Sequence, residues 1–170
     1  EPADSSRYLE FLSLLREALH RNKLYLTVDV PLGEEQYDYE AIAKISDALV
    51  LMAYDQHYAS GAPGPIAGLE WFRDGIKQYL ARLPPEKVIV AIGAYAYDWP
   101  ATGPAEALAF DEAMALGVKH RASVLTAQDS VNSTFKYRDA DNVEHHVFLL
   151  DAVSAWNQIA LLADDVALGL

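Results

Sequence analysis

Cysteine is absent from this chain of 170 residues. Its absence excludes disulfides, zinc sites built on thiolates and catalysis by a thiol. A chain without thiols suits an oxidising or extracytoplasmic setting, where free cysteines would be oxidised.

Positive charge is scarce as well. Lysine and arginine number 13 against 25 aspartates and glutamates, so the formal net charge is -12. Such a chain would repel the phosphates of nucleic acid, and we expect no nucleic-acid partner. The balance fits a neutral partner such as a sugar. No apolar run approaches the ~18–20 residues that span a bilayer, so we expect no membrane contact by this segment.

Several common catalytic motifs are also missing. The chain contains no G-x-S-x-G, P-loop, G-x-G-x-x-G or H-E-x-x-H motif, which leaves serine-hydrolase, nucleotide-binding and zinc-protease functions without support. His145 and His146 alternate in direction and cannot chelate one metal together; a histidine hydrogen-bonded to a neighbour is the favoured interpretation. Asp139 and Asp141 resemble half of a calcium loop that lacks its glycine and distal glutamate. We therefore predict no metal and no cofactor.

Apolar strands alternate with amphipathic helices through most of the chain. The patterns predict strands over residues 24–31, 49–54 and 87–93, and helices over residues 7–20, 39–46, 66–83 and 104–116. Strands that are apolar on both faces and separated by helices imply a parallel sheet covered by helices. Residues 134–138 and 144–148 alternate and flank a turn-forming segment, so they predict an antiparallel hairpin, with a last helix over about 151–163.

Polar and aromatic residues stand at the ends of three of the predicted strands. They are Asp29 with Pro31, Tyr54 with Asp55, and the segment 95–99. In a parallel sheet the carboxyl ends of the strands lie on one face, where α/β proteins bind ligands. Aromatic rings stack on sugar faces, and a carboxylate orients hydroxyl or amide groups. The alternative is structural: the rings cover the end of the sheet and the aspartates cap the following helices.

These segments together resemble the glycoside hydrolases of family 18, the chitinase family, whose members are TIM barrels. Residues 52–55, Met-Ala-Tyr-Asp, resemble the family's M-x-Y-D strand motif. Residues 91–99 resemble the next strand of a bacterial branch that includes spore-cortex and cell-wall hydrolases. Residues 132–137, 144–145 and 150–152 are similar to that branch's inserted hairpin and following helix. The resemblance implies an α/β fold, the C-terminal part of a TIM (β/α)8 barrel with an inserted β-hairpin.

The resemblance also implies a chemistry. Family members are retaining glycosidases that act on β-linked N-acetylglucosamine polymers, and the substrate's own N-acetyl oxygen serves as the nucleophile. Tyr54 and Asp55 would hold and polarise the acetamido group. The chain begins where the family's D-x-x-D-x-D-x-E motif would finish, so Glu1 is either the catalytic acid or the acidic residue after it. The other substrate-binding residues implied are Met52, Tyr95, Tyr97, Asp98 and Trp99.

The organisation implied is one partial glycoside hydrolase-like domain over residues 1–170, with a hairpin subregion of about 130–149. Residues 165–170 read as the start of a further strand. A partial barrel leaves sheet edges open, so we expect the chain by itself to self-associate and to be inactive. In the bacterial branch such domains sit beside polysaccharide deacetylase and glycosyltransferase modules, at an extracytoplasmic or cell-surface location.

Two other functions stay open at this point. One is a glycan-binding barrel without turnover, within a larger polysaccharide-processing protein. The other is an unrelated α/β domain in which Tyr54 and Asp55 are structural, which predicts no affinity for chitooligosaccharides.

Overall fold

The computed structural model describes residues 5–128 and 130–163. Their contacts divide into two compact units. Glu1 and the predicted strand at residues 165–170 lie outside the described residues. In chain order the elements are α1 (Ser5–Arg21), β1 (Thr27–Pro31), α2 (Tyr39–Ile45), β2 (Ala48–Met52), α3 (Leu69–Leu80), β3 (Val88–Ala91), β4 (Ala96–Pro100), β5 (Glu106–Leu108), α4 (Phe110–Lys119), β6 (Leu125–Thr126), β7 (Ser133–Arg138), β8 (Glu144–Leu149) and α5 (Ala152–Ala163).

The described part of the first unit, residues 5–53 and Asp74–Ala91, contains a parallel sheet in the order β1-β2-β3. This confirms the parallel sheet predicted from the alternation of strands and helices. The buried face carries Val28, Val30, Leu49 and Leu51, all 6% exposed or less. On the other face Asp29 pairs in register with Val50, which pairs with Ile89. Ile89 is 50% exposed, so this second face is open within the unit.

Local hydrogen bonds and prolines determine where helices α2 and α3 begin and end. Asp38 caps α2, since its carboxylate accepts a hydrogen bond from the Ala41 backbone N–H at 2.9 Å. Helix α3 is shorter than predicted and begins at Leu69. At its start the Gly68 C=O accepts from the Phe72 N–H at 2.9 Å, and the Gly68 N–H donates to the Gln56 side chain at 2.7 Å. At its far end the chain turns through Leu83 into Pro84 and Pro85, which cannot continue a helix.

The described part of the second unit, Tyr54–Arg73 with residues 92–128 and 130–163, contains a five-stranded antiparallel sheet in the order β5-β4-β8-β7-β6. Strands β7 and β8 pair from Ser133 with Leu149 to Arg138 with Glu144, which confirms the predicted hairpin. The turn between them is held by Asp139, whose carboxylate accepts hydrogen bonds from the backbone N–H groups of Asp141 and Val143.

The sequence predicts residues 95–99 at the carboxyl end of a parallel strand, but most of them lie in the antiparallel sheet instead. Strand β4 covers most of this segment and pairs antiparallel with β8, from Ala96 with Leu149 to Pro100 with His145. The predicted helix 104–116 begins only at Phe110, because β5 pairs with β4 first. The partner strand lies far along the chain, so the local pattern could not reveal this pairing.

The antiparallel sheet has two different faces. One face packs against α4 in a core of Ala96, Phe135, Val147, Leu149 and Ala113. The other face carries Tyr97 and Trp99 from β4 beside Phe148 from β8. Because side chains alternate along a strand, β4 contributes to both faces.

Asp47 joins the helix and strand layers of the first unit. Its carboxylate accepts hydrogen bonds from Arg16 at 3.2 Å, from the Leu26 backbone N–H at 2.8 Å, and contacts His20 Nε2 at 2.8 Å. Burial by itself raises the pKa of Asp47, but these hydrogen bonds outweigh it and lower the pKa to about 2. The ionised carboxylate is therefore stabilised by folding.

We expect Asp47→Asn to lower the free energy of unfolding by about 2 kcal/mol at pH 7. Because the pKa of Asp47 is lower in the folded protein than in the unfolded chain, its ionised carboxylate stabilises the fold above about pH 4. This contribution is lost as the pH falls towards 2. Urea unfolding at pH 7 and at about pH 3 measures it, with the exposed Glu35→Gln as control. An equal loss of stability at both pH values would contradict the assignment.

Candidate functional site

The carboxylate of Asp55 is the centre of a cluster in the second unit. Asp55 is the third residue after β2 ends, adopts a left-handed backbone with φ of 60° and lies exposed. The Tyr95 hydroxyl donates a hydrogen bond to its Oδ1, and the Tyr97 hydroxyl donates to the same oxygen at 3.2 Å. A non-glycine residue in this backbone region is strained, and such strain is concentrated at functional sites.

The two phenols are held in their protonated form. Burial raises the pKa of Tyr95 well above its usual range, and the hydrogen bond to Asp55 and its negative charge add to the shift. The pKa of Tyr97 is raised by burial and by the charge of Asp55 as well. A phenol of ordinary pKa is already protonated at neutral pH, so both hydroxyls donate there, and the shifts extend this state to higher pH. The two hydrogen bonds orient the carboxylate and engage one of its oxygens.

Aromatic rings line this cluster. The ring centroids of Tyr54 and Tyr95 are 6.0 Å apart, those of Tyr95 and Tyr97 5.4 Å, and those of Tyr97 and Trp99 5.3 Å. The three tyrosines are partly exposed, and Tyr54, Tyr95 and Tyr97 pack on the buried Ile66. Partly exposed rings around an oriented carboxylate make a surface suited to a sugar.

Gly93 allows the rings to approach so closely. A Cβ atom at this position would lie 2.6 Å from Tyr95 Cε1 and 2.7 Å from Tyr54 Cβ, distances that real Cβ atoms do not show. Sequence reasoning did not single out Gly93; a glycine between the end of a predicted strand and an aromatic segment was the available signal.

Buried amides hold the loop that follows Asp55. The Gln56 backbone N–H donates to the Ile66 carbonyl at 3.0 Å. The Asn132 side chain makes two hydrogen bonds to the backbone of the neighbouring Ala67. Its Oδ1 accepts from the Ala67 N–H at 3.2 Å, and its Nδ2 donates to the Ala67 C=O at 2.8 Å. Gln158 donates to the same carbonyl at 3.0 Å. Asn132 is 2% exposed and Gln158 1%, so these hydrogen bonds to Ala67 are shielded from water.

Asp98 lies apart from this cluster. It is 5% exposed on the opposite face of β4, where its carboxylate accepts a hydrogen bond from the Tyr137 hydroxyl at 2.5 Å and contacts His145 Nδ1 at 2.9 Å. His146 points the other way, with Nε2 at 2.9 Å from Thr134 Oγ1. The prediction that the two histidines face opposite sides, each hydrogen-bonded to a neighbour, is confirmed.

The remaining predicted site residues are scattered. Trp99 is 3% exposed, so it forms a buried support and not an open wall. Met52 is the last residue of β2, in the first unit. Asp29 lies in the middle of β1 and lines a small cavity of the first unit with Tyr8 and Tyr37. Within residues 5–128 and 130–163, no three His, Asp or Glu side chains are placed to hold a metal ion.

Comparisons with known proteins agree on one family. The sequence model of the family described as "Glycosyl hydrolases family 18" matches residues 1–160. The cortical fragment-lytic enzyme of Bacillus subtilis (strain 168) is 30% identical over 177 residues, which cover 96% of this chain and 41% of that protein. The chain thus spans less than half the length of this curated relative.

Solved structures are similar as well. The spore cortex-lytic enzyme SleL of Bacillus cereus superimposes with a TM-score of 0.86 at 25% identity, over 96% of this chain and 40% of that one. The chitinase of Chromobacterium violaceum ATCC 12472 superimposes with a TM-score of 0.84 at 28% identity, over 96% of this chain and 54% of that one.

We expect Gly93→Ala to destabilise the chain by about 1–3 kcal/mol, because the new methyl group must displace Tyr54 or Tyr95. The matched control is Gly117→Ala in α4, where a Cβ would meet Phe135 at an ordinary 3.7 Å; there the change is neutral or stabilises by up to about 1 kcal/mol. Urea unfolding and near-ultraviolet circular dichroism of the tyrosines measure both. Equal stability of the two variants with unchanged tyrosine signals would refute the close approach.

Proposed function

Because this chain belongs to the glycosyl hydrolases of family 18, we propose that it is part of a glycosidase that hydrolyses β-linked N-acetylglucosamine polysaccharide. The observation that carries the proposal is the exposed Asp55 carboxylate, three residues after the end of β2, which accepts hydrogen bonds from two tyrosine hydroxyls. The relatives that cover nearly the whole chain are named as lytic enzymes and chitinases, which act on glycans.

The proposed mechanism needs no nucleophile from the protein. The acetamido oxygen of the bound sugar attacks the anomeric carbon, the bond to the leaving oxygen breaks, and a cyclic oxazolinium ion forms. A general acid must protonate the leaving oxygen, and water later opens the ring to give the retained product. The chain's remaining task is to hold the acetamide so that its oxygen faces the anomeric carbon.

Asp55 suits that task. Tyr95 and Tyr97 both donate to Oδ1, which leaves Oδ2 available to accept from the acetamide N–H. A negative charge at that position stabilises the positive charge that develops on the acetamide as it attacks. Tyr54 lies beside Tyr95 and offers its phenol to the same group. We assign the general acid to Glu1 or to the residue before it.

The chain's fold supports a further element of the proposal. We propose that the parallel sheet of the first unit is the C-terminal part of a TIM (β/α)8 barrel whose other strands are supplied by a longer protein. The chain covers 41% of the Bacillus subtilis relative, consistent with a partial barrel. We also propose an extracytoplasmic or cell-surface site of action, since relatives are named for spore-cortex lysis. Among the described residues no helix is long and apolar enough to cross a membrane.

The second candidate function is a glycan-binding domain without turnover. The residues that separate the two functions lie upstream of Glu1, where a hydrolase carries D-x-D-x-E and a binding domain carries a substituted motif. The Asp55 cluster serves either function, because its contacts hold an acetamide whether or not the bond is cleaved.

We expect Asp55→Asn to abolish hydrolysis by a chain extended at both ends to the length of its relatives. Loss of the carboxylate removes electrostatic stabilisation, and we expect turnover of a fluorogenic chitobiose substrate to fall by about 100- to 1,000-fold. The control is Asp111→Asn, an exposed change on α4. Turnover that survives Asp55→Asn would remove Asp55 from the mechanism. Oligosaccharide binding without turnover in the unaltered protein would favour the binding domain.

The chain as it stands should associate with itself and lack hydrolase activity. Ile89 is 50% exposed on the open face of its sheet, and apolar sheet faces are usually covered. We expect Ile89→Lys to weaken the association, whereas Val118→Lys, at a 77% exposed position on α4, should not. Sedimentation velocity over a range of concentrations measures both, and a monomer at every concentration would contradict the expectation.

A further inference from the structure

Asp98 is a buried carboxylate to which the proposed function gives no role. It is 5% exposed and lies on the face of β4 that packs against α4. Its neighbour Tyr97 lies on the opposite face, where its hydroxyl reaches Asp55. Burying a carboxylate costs free energy unless hydrogen bonds compensate it, so the presence of this one needs an explanation.

Both oxygens of the Asp98 carboxylate have partners on other strands. The Tyr137 hydroxyl of β7 donates to Oδ2 at 2.5 Å, and His145 Nδ1 of β8 lies 2.9 Å from Oδ1. The Tyr137 and His145 rings stack with their centroids 4.6 Å apart, and Nε2 of His145 lies 3.6 Å from the Asp139 carboxylate. We define Asp98, Tyr137 and His145 as the buried network. It joins three neighbouring strands, because β4 pairs with β8 and β8 pairs with β7.

Apolar burial by itself does not determine which face of β4 packs against α4. Ala96 on the α4 side is fully buried, but Trp99 on the other side is only 3% exposed, so both faces are covered. A shift of the β4 register by one residue would exchange the two faces. Tyr97 would then turn towards α4, and Asp98 would turn the other way. The buried network can form in one register only, because its other two members lie on the α4 side of β7 and β8.

The choice of face decides the geometry of the candidate site. The Tyr97 hydroxyl donates to Asp55 Oδ1 at 3.2 Å, and Tyr95, one residue before β4, donates to the same oxygen. Both contacts require the observed register. Buried ionic contacts often add little to stability, and the selection of one register is the role best attested for them.

We propose that Asp98 is a positioning residue, which through the buried network holds β4 in the register that places Tyr95 and Tyr97 against Asp55. The inference rests on the proposed function, since Asp55 is the group that would hold the acetamide. Asp98 acts through the backbone of β4 and needs no contact with the ligand. A change confined to the α4 side of the sheet should therefore alter turnover at a site on the other side.

A double-mutant cycle tests whether Asp98 acts through the tyrosines. In the chain extended at both ends, we expect Asp98→Asn to lower turnover of fluorogenic chitobiose about tenfold, the size of one charged hydrogen bond. In a Tyr95→Phe, Tyr97→Phe background the same substitution should change turnover by less than about twofold, because the contacts that it disturbs are already gone. The control is Asp111→Asn on α4, which should leave turnover unchanged in both backgrounds.

A fluorine NMR signal reports the same geometry without turnover. We place 3-fluorotyrosine at position 97 of the extended chain, and Asp55→Ala gives the signal of this residue without its acceptor. In Asp98→Asn the signal should move towards that of Asp55→Ala. If Asp98→Asn does not fold, Tyr137→Phe takes its place in both experiments, since it removes one hydrogen bond of the buried network and keeps the ring. Its control is Tyr25→Phe at an 82% exposed position, which should leave the signal unchanged.

The outcomes separate this inference from the proposed function. A shifted fluorine signal, with a loss of turnover confined to the background that keeps both tyrosines, supports the positioning role. An unchanged signal in a folded variant, or a loss of turnover that is absent or equal in both backgrounds, overturns it. If the unaltered protein turns over no substrate, the hydrolase proposal is wrong, and the fluorine signal alone decides whether Asp98 positions β4.

Discussion

Two phenol hydroxyls converge on one oxygen of Asp55, and the candidate site depends on that convergence. Without donors nearby, a carboxylate on a strained backbone would be free to turn towards solvent. The tyrosines hold it in one orientation through the hydrogen bonds that they donate, and the negative charge of Asp55 contributes to raising the pKa of both phenols. Gly93 is part of the same arrangement, since any side chain there would push the rings apart.

Strand β4 serves two functions because its side chains alternate. On one face Tyr97 reaches Asp55, and on the other Asp98 is buried against Tyr137 and His145. The buried contacts attach β4 to β7 and β8, and this attachment fixes the position of the tyrosines. A change at Asp98 would therefore act on the site through the backbone of β4, without touching a ligand.

Much of the fold followed from local patterns. The parallel strands, the β7–β8 hairpin and the end of α3 before Pro84 were predictable, because apolar periodicity and turn residues act over a few positions. The choice of Tyr54 and Asp55 as candidate site residues was possible from the sequence too, since a carboxylate next to a buried apolar run needs polar partners. The start of α4 was not, because β5 takes up the residues where the helical pattern begins.

The sequence by itself determined the family, the position of Tyr54 and Asp55 shortly after an apolar strand, and the absence of thiol chemistry. These features depend only on residue types and on short spacings along the chain. The tertiary structure alone decided that residues 96–100 pair antiparallel with β8, that Tyr95 and Tyr97 reach Asp55 while Asp98 lies on the other face, and that Asn132 hydrogen-bonds the Ala67 backbone. The physical reason is pairing between distant segments. β4 becomes a strand because β8 offers it backbone partners, and a partner so far along the chain leaves no mark on the local pattern.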